Sequence, residues 1–252
     1  MDKLGDAQTI EVFHLAFLDL LSRRVEGDRY TLKGGANLRY FFSSVRYSED
    51  IDLDIEGIPE WRLMEKIEDA LCSTQMRILL RAKGLGVAEA SNTKRTETTQ
   101  RWKVGIEASG RAELIRTKIE FSYREAEGES RFEQIPAEIV APYGMRPPVV
   151  QHYVGDAPAR QKVLALAGRS ETQARDIFDL QLLLRLRPLP VDSLPAAVVS
   201  KAVERALELN YDSYRAQVLP FLEPEAVELY GGIADWEEMQ TFVAQQLEEA
   251  AA

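Results

Sequence analysis

The sequence predicts an α+β fold, in which a mixed sheet with flanking helices over residues 1–155 is followed by a mainly α-helical C-terminal lobe over residues 156–252. Two observations predict it. Up to about residue 155, segments with period-two alternation interleave with segments whose apolar residues recur every three or four positions. From Ala157 onward the spacing is mostly helical, broken by Pro188, Pro190, Asn210, Pro220, Pro224 and Gly231-Gly232. With 252 residues and 45% hydrophobic side chains the chain can bury a sizeable core. It shows no internal repeat, and a cleft between two lobes would be a favoured place for a ligand.

In chain order, Thr9 to Arg24 is an amphipathic helix, with Ile10, Phe13, His14, Phe17, Leu20 and Leu21 at helical spacing. Arg29 to Leu32 reads as a short strand stopped at Gly34-Gly35, with a helix from Ala36 to Phe42 after it. Asp50-Ile51-Asp52-Leu53-Asp54-Ile55 alternates strictly, so it forms a strand whose three aspartates share one face. Pro59 to about Ala82 reads as one helix with Leu63, Ile67, Leu71 and Ile78 at apolar positions, and Cys72 falls on that apolar phase as a small core residue. Strand-like runs follow at Val87–Ser91, Arg101–Ala108 and Leu114–Tyr123. Prolines 136, 142, 147 and 148 mark an irregular connection before a strand at Val149–Val154. Helices are expected at 158–168, 172–187, 194–209, 212–219 and 234–250, and the last residues, Glu248 to Ala252, are expected to fray.

Composition excludes several classes. One cysteine and two histidines leave no disulfide framework, no four-cysteine zinc site and no histidine-rich metal centre, so a catalytic metal would be held by carboxylates. The N-terminus has no apolar leader and no apolar run reaches the length a bilayer requires, which makes the cytoplasm the expected location, with no membrane partner. The formal charge of -10 argues against coating nucleic acid with the whole surface. Between Arg77 and Lys118, however, ten Lys or Arg stand against four Glu, a local net of +6 (10 − 4) that reads equally as a binding surface or a solvated face. Neither GxxxxGK[ST], nor a GxGxxG after a strand, nor GxSxG occurs, and the kinase catalytic-loop and DFG motifs are missing.

The informative constellation is Lys33-Gly34-Gly35-Ala36-Asn37-Leu38-Arg39, then Arg46-Tyr47-Ser48-Glu49-Asp50-Ile51-Asp52-Leu53-Asp54. Asp50 and Asp52 on one face repel one another unless a cation lies between them, and hard divalent cations prefer such oxygen donors. A solvated edge strand is the competing reading. A diglycine turn followed by a short helix allows backbone N–H groups and the helix N-terminus to approach a phosphate. Phosphate cradle and metal-binding carboxylates together suit phosphoryl or nucleotidyl transfer.

Diglycine, short helix and R-x-S-x-D-I-D-L resemble the first motif of the polymerase-beta-like nucleotidyltransferases of the AbiEii/AbiGii toxin family. Lys118-Ile119-Glu120-Phe121 resembles that family's second motif, Gln161-Lys162-Val163-Leu164-Ala165-Leu166 its lysine motif, and Arg175-Asp176-Ile177-Phe178-Asp179-Leu180 its R-D-x-x-D-L helix. The blocks stand in the family's order, although Ala36-Asn37 replaces the threonine that commonly follows the diglycine and Gln161 an acidic residue that commonly precedes the lysine.

The resemblance implies a polymerase-beta-like core and a helical lobe that contributes Lys162 and Asp176. It assigns Asp50 and Asp52 to Mg²⁺, with Mn²⁺ an alternative, and NTP as the substrate. Glu120 is then a third carboxylate orienting an acceptor hydroxyl, against the alternative of a charged residue alternating outward from a strand. Lys162 and Asp176 join the catalytic set only through their motifs. Lys33, Gly34, Gly35 and Ser48 would bind nucleotide, while Arg39 and Arg46 either contact phosphates or pair with the acidic strand. Ordinary intrahelical pairing with Arg175 stays open for Asp179. The implied acceptor is RNA, above all the 3′ end of tRNA, whose blocking would stop translation and growth, and an antitoxin would restrain the enzyme. A protein or small-molecule hydroxyl, or a regulatory module that binds nucleotide without turnover, are the alternatives.

Overall fold

A computed structural model describes residues 4–124, 128–191 and 193–250. The chain divides into two units, Met1–Phe41 with Tyr47–Tyr153 and Phe42–Arg46 with Val154–Ala252.

The first unit holds helices α1 (Asp6–Leu21), α2 (Gly34–Phe41), α3 (Glu60–Cys72), α4 (Thr74–Arg81) and α5 (Ala137–Val140). Its strands are β1 (Tyr30–Lys33), β2 (Asp50–Ile55), β3 (Leu85–Thr96), β4 (Thr99–Ala108), β5 (Ile115–Ser122), β6 (Ser130–Gln134) and β7 (Val149–Tyr153). They form one seven-stranded sheet in the order β3-β4-β5-β2-β1-β7-β6. The sheet is mixed: β2 runs parallel to β5 and β1 parallel to β7, and the other neighbours are antiparallel.

Alternation along the strands separates two faces. Leu32, Ile51, Leu53, Trp102, Val104, Ile119 and Phe121 enter a core with Phe13 and Phe17 of α1, Leu63 and Ile67 of α3 and Met76 and Leu80 of α4. The opposite face of the central strands carries Lys33, Asp50, Asp52, Asp54, Lys118 and Glu120. A sheet apolar on one side and charged on the other can present chemistry there without opening its core.

The segment 59–82 is two helices, not one. Ser73 lies between them, its Oγ accepting from the Met76 amide at 3.0 Å and donating to the Ala70 carbonyl at 2.8 Å, so it caps α4 while closing α3. The break resets the helical phase. Met76 and Leu80 turn inward, Ile78 is 64% exposed, and Cys72 is exposed at the junction instead of in the core. Alternation missed β6, and Pro224, read as a breaker, instead opens a helix (Pro224–Tyr230), since proline is compatible with a first turn.

The second unit contains α6 (Ala157–Gly168), α7 (Ala174–Leu186), α8 (Ala196–Glu208), α9 (Tyr211–Gln217), α10 (Pro224–Tyr230) and α11 (Ile233–Ala250). Tyr214 stacks on Trp236 at 4.8 Å between ring centres, and Phe178 meets Tyr230 edge-on at 5.6 Å. The segment 42–46 joins this unit by its backbone: the Glu223 amide donates to the Val45 carbonyl at 3.0 Å and Arg46 bridges Leu222. Glu248 to Ala250 continue α11 instead of fraying, while Ala251 and Ala252 lie outside the described residues.

Among the described residues no helix is long and apolar enough to cross a membrane.

Candidate active site

Strand register assembles the acidic centre. In the parallel pair β2/β5, Asp50 stands opposite Lys118, Asp52 opposite Glu120 and Asp54 opposite Ser122; in the antiparallel pair β1/β2, Lys33 stands opposite Asp52. Residues in register on neighbouring strands share a face, so Asp50, Asp52, Asp54 and Glu120 form one carboxylate cluster. The separation of Asp52 from Glu120 by 68 residues hides this pairing from the sequence.

Neighbouring cations and a hydroxyl answer part of that negative charge. Lys118 Nζ lies 3.0 Å from Asp50 Oδ2. Arg101 Nε donates to Glu120 Oε2 at 2.6 Å. Asp54 is the most enclosed of the cluster, bonded by Lys33 and by the Tyr153 hydroxyl, which donates to Oδ2 at 2.8 Å. Its two bonds make it an anchor between β2, β1 and β7, while Asp50 and Glu120 keep side-chain exposures of 20% and 30%.

Gly34 closes the other side of Asp52. It adopts φ +69°, and a Cβ built there would lie 2.6 Å from Asp52 Oδ2, so the absent side chain is what lets the carboxylate approach the start of α2. Gly35 follows in the first turn of the same helix. Ser48 ends the loop before β2, its Oγ donating to the Asp50 carbonyl at 2.7 Å, which fixes the strand's entry.

Among the described residues no group of three or more His, Cys, Asp and Glu is gathered closely enough to hold a metal ion. The pair Asp50 and Asp52 nonetheless fits a hard divalent cation: both are oxygen donors on one strand face, both are partly exposed, and glycine clears the space beside Asp52.

The second unit carries a charge cluster of its own. Lys162 Nζ on α6 lies 3.0 Å from Asp176 Oδ1 and 2.7 Å from Asp179 Oδ2, both carboxylates being fully buried on α7. Arg46 grips Asp179 through two nitrogens, Nε at 3.1 Å from Oδ1 and Nη2 at 2.8 Å from Oδ2. Arg169 Nε comes within 2.9 Å of Asp176 Oδ2. Burial pushes the Asp179 carboxyl up, but Arg46 and Lys162 together outweigh it and hold the group down at about 2. Lys162, expected on a solvent face had it stood alone, is buried and shared by two aspartates.

Arg39 belongs to a third network, inside the first unit. Its Nε donates to Glu11 Oε1 at 2.8 Å, its guanidinium lies 4.4 Å over the Tyr47 ring, and Tyr143 donates to Glu11 Oε2 at 2.6 Å. Burial, then the Glu11 carboxylate, push the Tyr143 phenol far above its ordinary range. Glu11 had no signal in the sequence beyond being a carboxylate on an apolar helix. His14 is structural, as expected, its Nε2 2.8 Å from Thr117 Oγ1, and burial lowers it to about 4 against an opposing pull from Asp50. His152 is buried and stacks on Phe41 at 3.5 Å.

The structure therefore gathers Lys33, Gly34, Asp50, Asp52 and Glu120, with Ser48 and Gly35 adjoining, in the first unit. Arg46, Lys162 and Asp176 come together in the second. Arg101 joins the first group through the β4/β5 register and Tyr153 through its hydroxyl's bond to Asp54, neither of which the sequence pattern shows.

Comparison with known proteins is consistent with this geometry. A profile of the family described as nucleotidyl transferase AbiEii toxin, type IV toxin–antitoxin system, matches residues 16–251. The crystal structure of JHP933 from Helicobacter pylori is similar over 98% of this chain and 96% of its own, at 19% identity and a TM-score of 0.58. That of a candidate nucleotidyltransferase from H. pylori is similar over 99% of each chain, at 20% identity and a TM-score of 0.61. At these identities the two structures speak to the fold alone. No curated protein matches the chain.

Proposed function

The chain belongs to the AbiEii family of nucleotidyltransferase toxins of type IV toxin–antitoxin systems, and on that premise we propose that it transfers NMP from an NTP to the 3′ end of an RNA, most directly tRNA. The observation that carries this reading is the register that sets Glu120 beside Asp52 and one residue pair from Asp50, on the charged face of the sheet and against the Gly34 turn.

Asp50 and Asp52 would hold a divalent cation, Mg²⁺ or Mn²⁺, whose chemistry is to orient the triphosphate and neutralise charge on the leaving pyrophosphate. Gly34, Gly35 and Lys33 present the backbone and a cation to the phosphates, with Ser48 setting the strand that carries the aspartates. Glu120, turned by Arg101, orients the acceptor hydroxyl. That oxygen bonds to the α-phosphorus as its proton passes to water, the bond from α-phosphorus to the bridging oxygen breaks, and pyrophosphate leaves with that bond's electron pair. Lys162 is assigned to the triphosphate and Asp176 to holding Lys162, on the motif and on their 3.0 Å contact. The reaction belongs in the cytoplasm, where blocked tRNA ends would arrest translation and growth and where a cognate antitoxin would restrain the enzyme.

The test is incubation with Mg²⁺, each α-labelled NTP in turn and total cellular RNA plus protein, beside Asp50→Ala, Asp52→Ala and Glu120→Gln. Label in tRNA-sized bands with wild type, abolished in both aspartate variants, is the expected result. Label entering protein would move the acceptor to a protein hydroxyl, and NTP binding with no transfer would favour a regulatory module.

A further inference from the structure

The strands that flank the acidic centre carry a positive stripe whose lysines on β3 and β4, Lys94 and Lys103, are unanswered among the described residues. Two rows of residues in register cross from the sheet edge to β2: Lys94, Arg101, Glu120, Asp52, and beside them Ser91, Lys103, Lys118, Asp50. Both rows lie on the charged face. Arg116, 66% exposed, extends the stripe along β5 and pairs with Glu89.

Three features of these rows point to an anionic ligand. Lys103 stands directly opposite Lys118, and since Asp50 already answers Lys118 at 3.0 Å, Lys103 is the member of this like-charge pair left, among the described residues, without an anion. The Lys94 and Lys103 side chains are exposed and, among the described residues, neither has a hydrogen-bond or ion-pair partner. The basicity is local, since the chain as a whole carries -10.

We infer that this face of β3, β4 and β5 is the docking surface for the acceptor strand, a single-stranded RNA held by its phosphates with its 3′ hydroxyl led toward Glu120 and Asp52. The inference rests on the nucleotidyl-transfer reading and gives its acceptor a place. Three strand spacings separate Lys94 from Asp52, about 14 Å, the rise of roughly four stacked nucleotides. No aromatic side chain stands in either row, so bases have no stacking platform there, and recognition is of the backbone and tolerant of sequence.

The test is fluorescence anisotropy with a 5′-labelled 12-nucleotide RNA of mixed sequence, titrated across salt concentrations, for wild type, Lys94→Ala/Lys103→Ala and the control Lys201→Ala, an exposed lysine of α8. Two lost phosphate contacts reduce the slope of log K against log salt by about 1.4 and weaken binding about 25-fold at 0.1 M salt, with each contact taken as 0.7 log unit. Lys201→Ala leaves slope and affinity unchanged. If wild type labels RNA in the transfer assay but the double variant binds with unaltered affinity and slope, the surface is wrong and nucleotidyl transfer stands. If wild type labels only protein and binds no RNA, the acceptor reading fails and the surface fails with it.

Discussion

Gly34→Ala is the sharpest single perturbation of the site. The residue sits at φ +69°, where an L side chain costs about 1–2 kcal/mol. The new Cβ would also stand 2.6 Å from Asp52 Oδ2, where ordinary contact begins at 3.4 Å, so the carboxylate must retreat by about 0.8 Å (3.4 − 2.6). A displacement approaching 1 Å in a catalytic group lowers turnover by about 100-fold. The expected outcome is thus a modest loss of stability, about 1–2 kcal/mol by urea unfolding, with a far larger loss of NMP transfer. Gly168→Ala serves as the control, because its added methyl meets no atom within 4 Å. Wild-type transfer by Gly34→Ala would refute the claim that the glycine exists to admit Asp52. Transfer and stability falling together in proportion would mean that the residue is only a turn.

Four further outcomes follow from the buried charges and the cap. Asp179→Asn leaves Arg46 and Lys162 without their shared anion and is expected to cost about 3–5 kcal/mol, read as a fall in urea midpoint. In wild type the depressed Asp179 pKa contributes stability above the unfolded value of 3.8, and about 2 kcal/mol of it disappears as pH falls from there toward 2. His14 is the more accessible titration: folded at about 4 against 6.5 unfolded, it resists protonation in the native state, so stability drops by about 3 kcal/mol as pH falls from 6.5 to 4. His14→Gln should flatten that limb in urea unfolding at pH 7, 5.5 and 4.5, and an unchanged slope would assign it to other groups. Ser73→Ala removes the α4 cap and should cost about 1 kcal/mol by the same measurement.

Much of this was legible in the sequence, for a physical reason. Period-two alternation in Asp50–Ile55 marks a strand and its polar face without reference to anything distant, and the structure gives β2 those limits. The diglycine was legible as a turn, but its contact with Asp52 was not, since it depends on how β1 and β2 pair. Glu120 remained ambiguous for the same reason. A one-residue slip would have moved it to the apolar face, and only the β2/β5 register decides. Cys72 and Ile78 were misplaced because one uninterrupted helical phase was carried through Ser73. The partners of Lys162 were illegible because they come from α7 and because a lysine's burial depends on anions brought to it by folding.

The excursion of residues 42–46 into the helical unit also constrains how this protein could be taken apart. A cut after Tyr153 would not yield two self-sufficient pieces. The C-terminal fragment would keep Asp179 at the centre of α7 with Lys162 but forfeit the bidentate Arg46 grip and the strand bridge to Leu222. The N-terminal fragment would retain an arginine evolved for burial with nothing to bury it against. The helical unit is therefore no detachable cassette, and neither truncation nor recombination at that junction should transplant it into another enzyme without also carrying a five-residue insert from within the catalytic half.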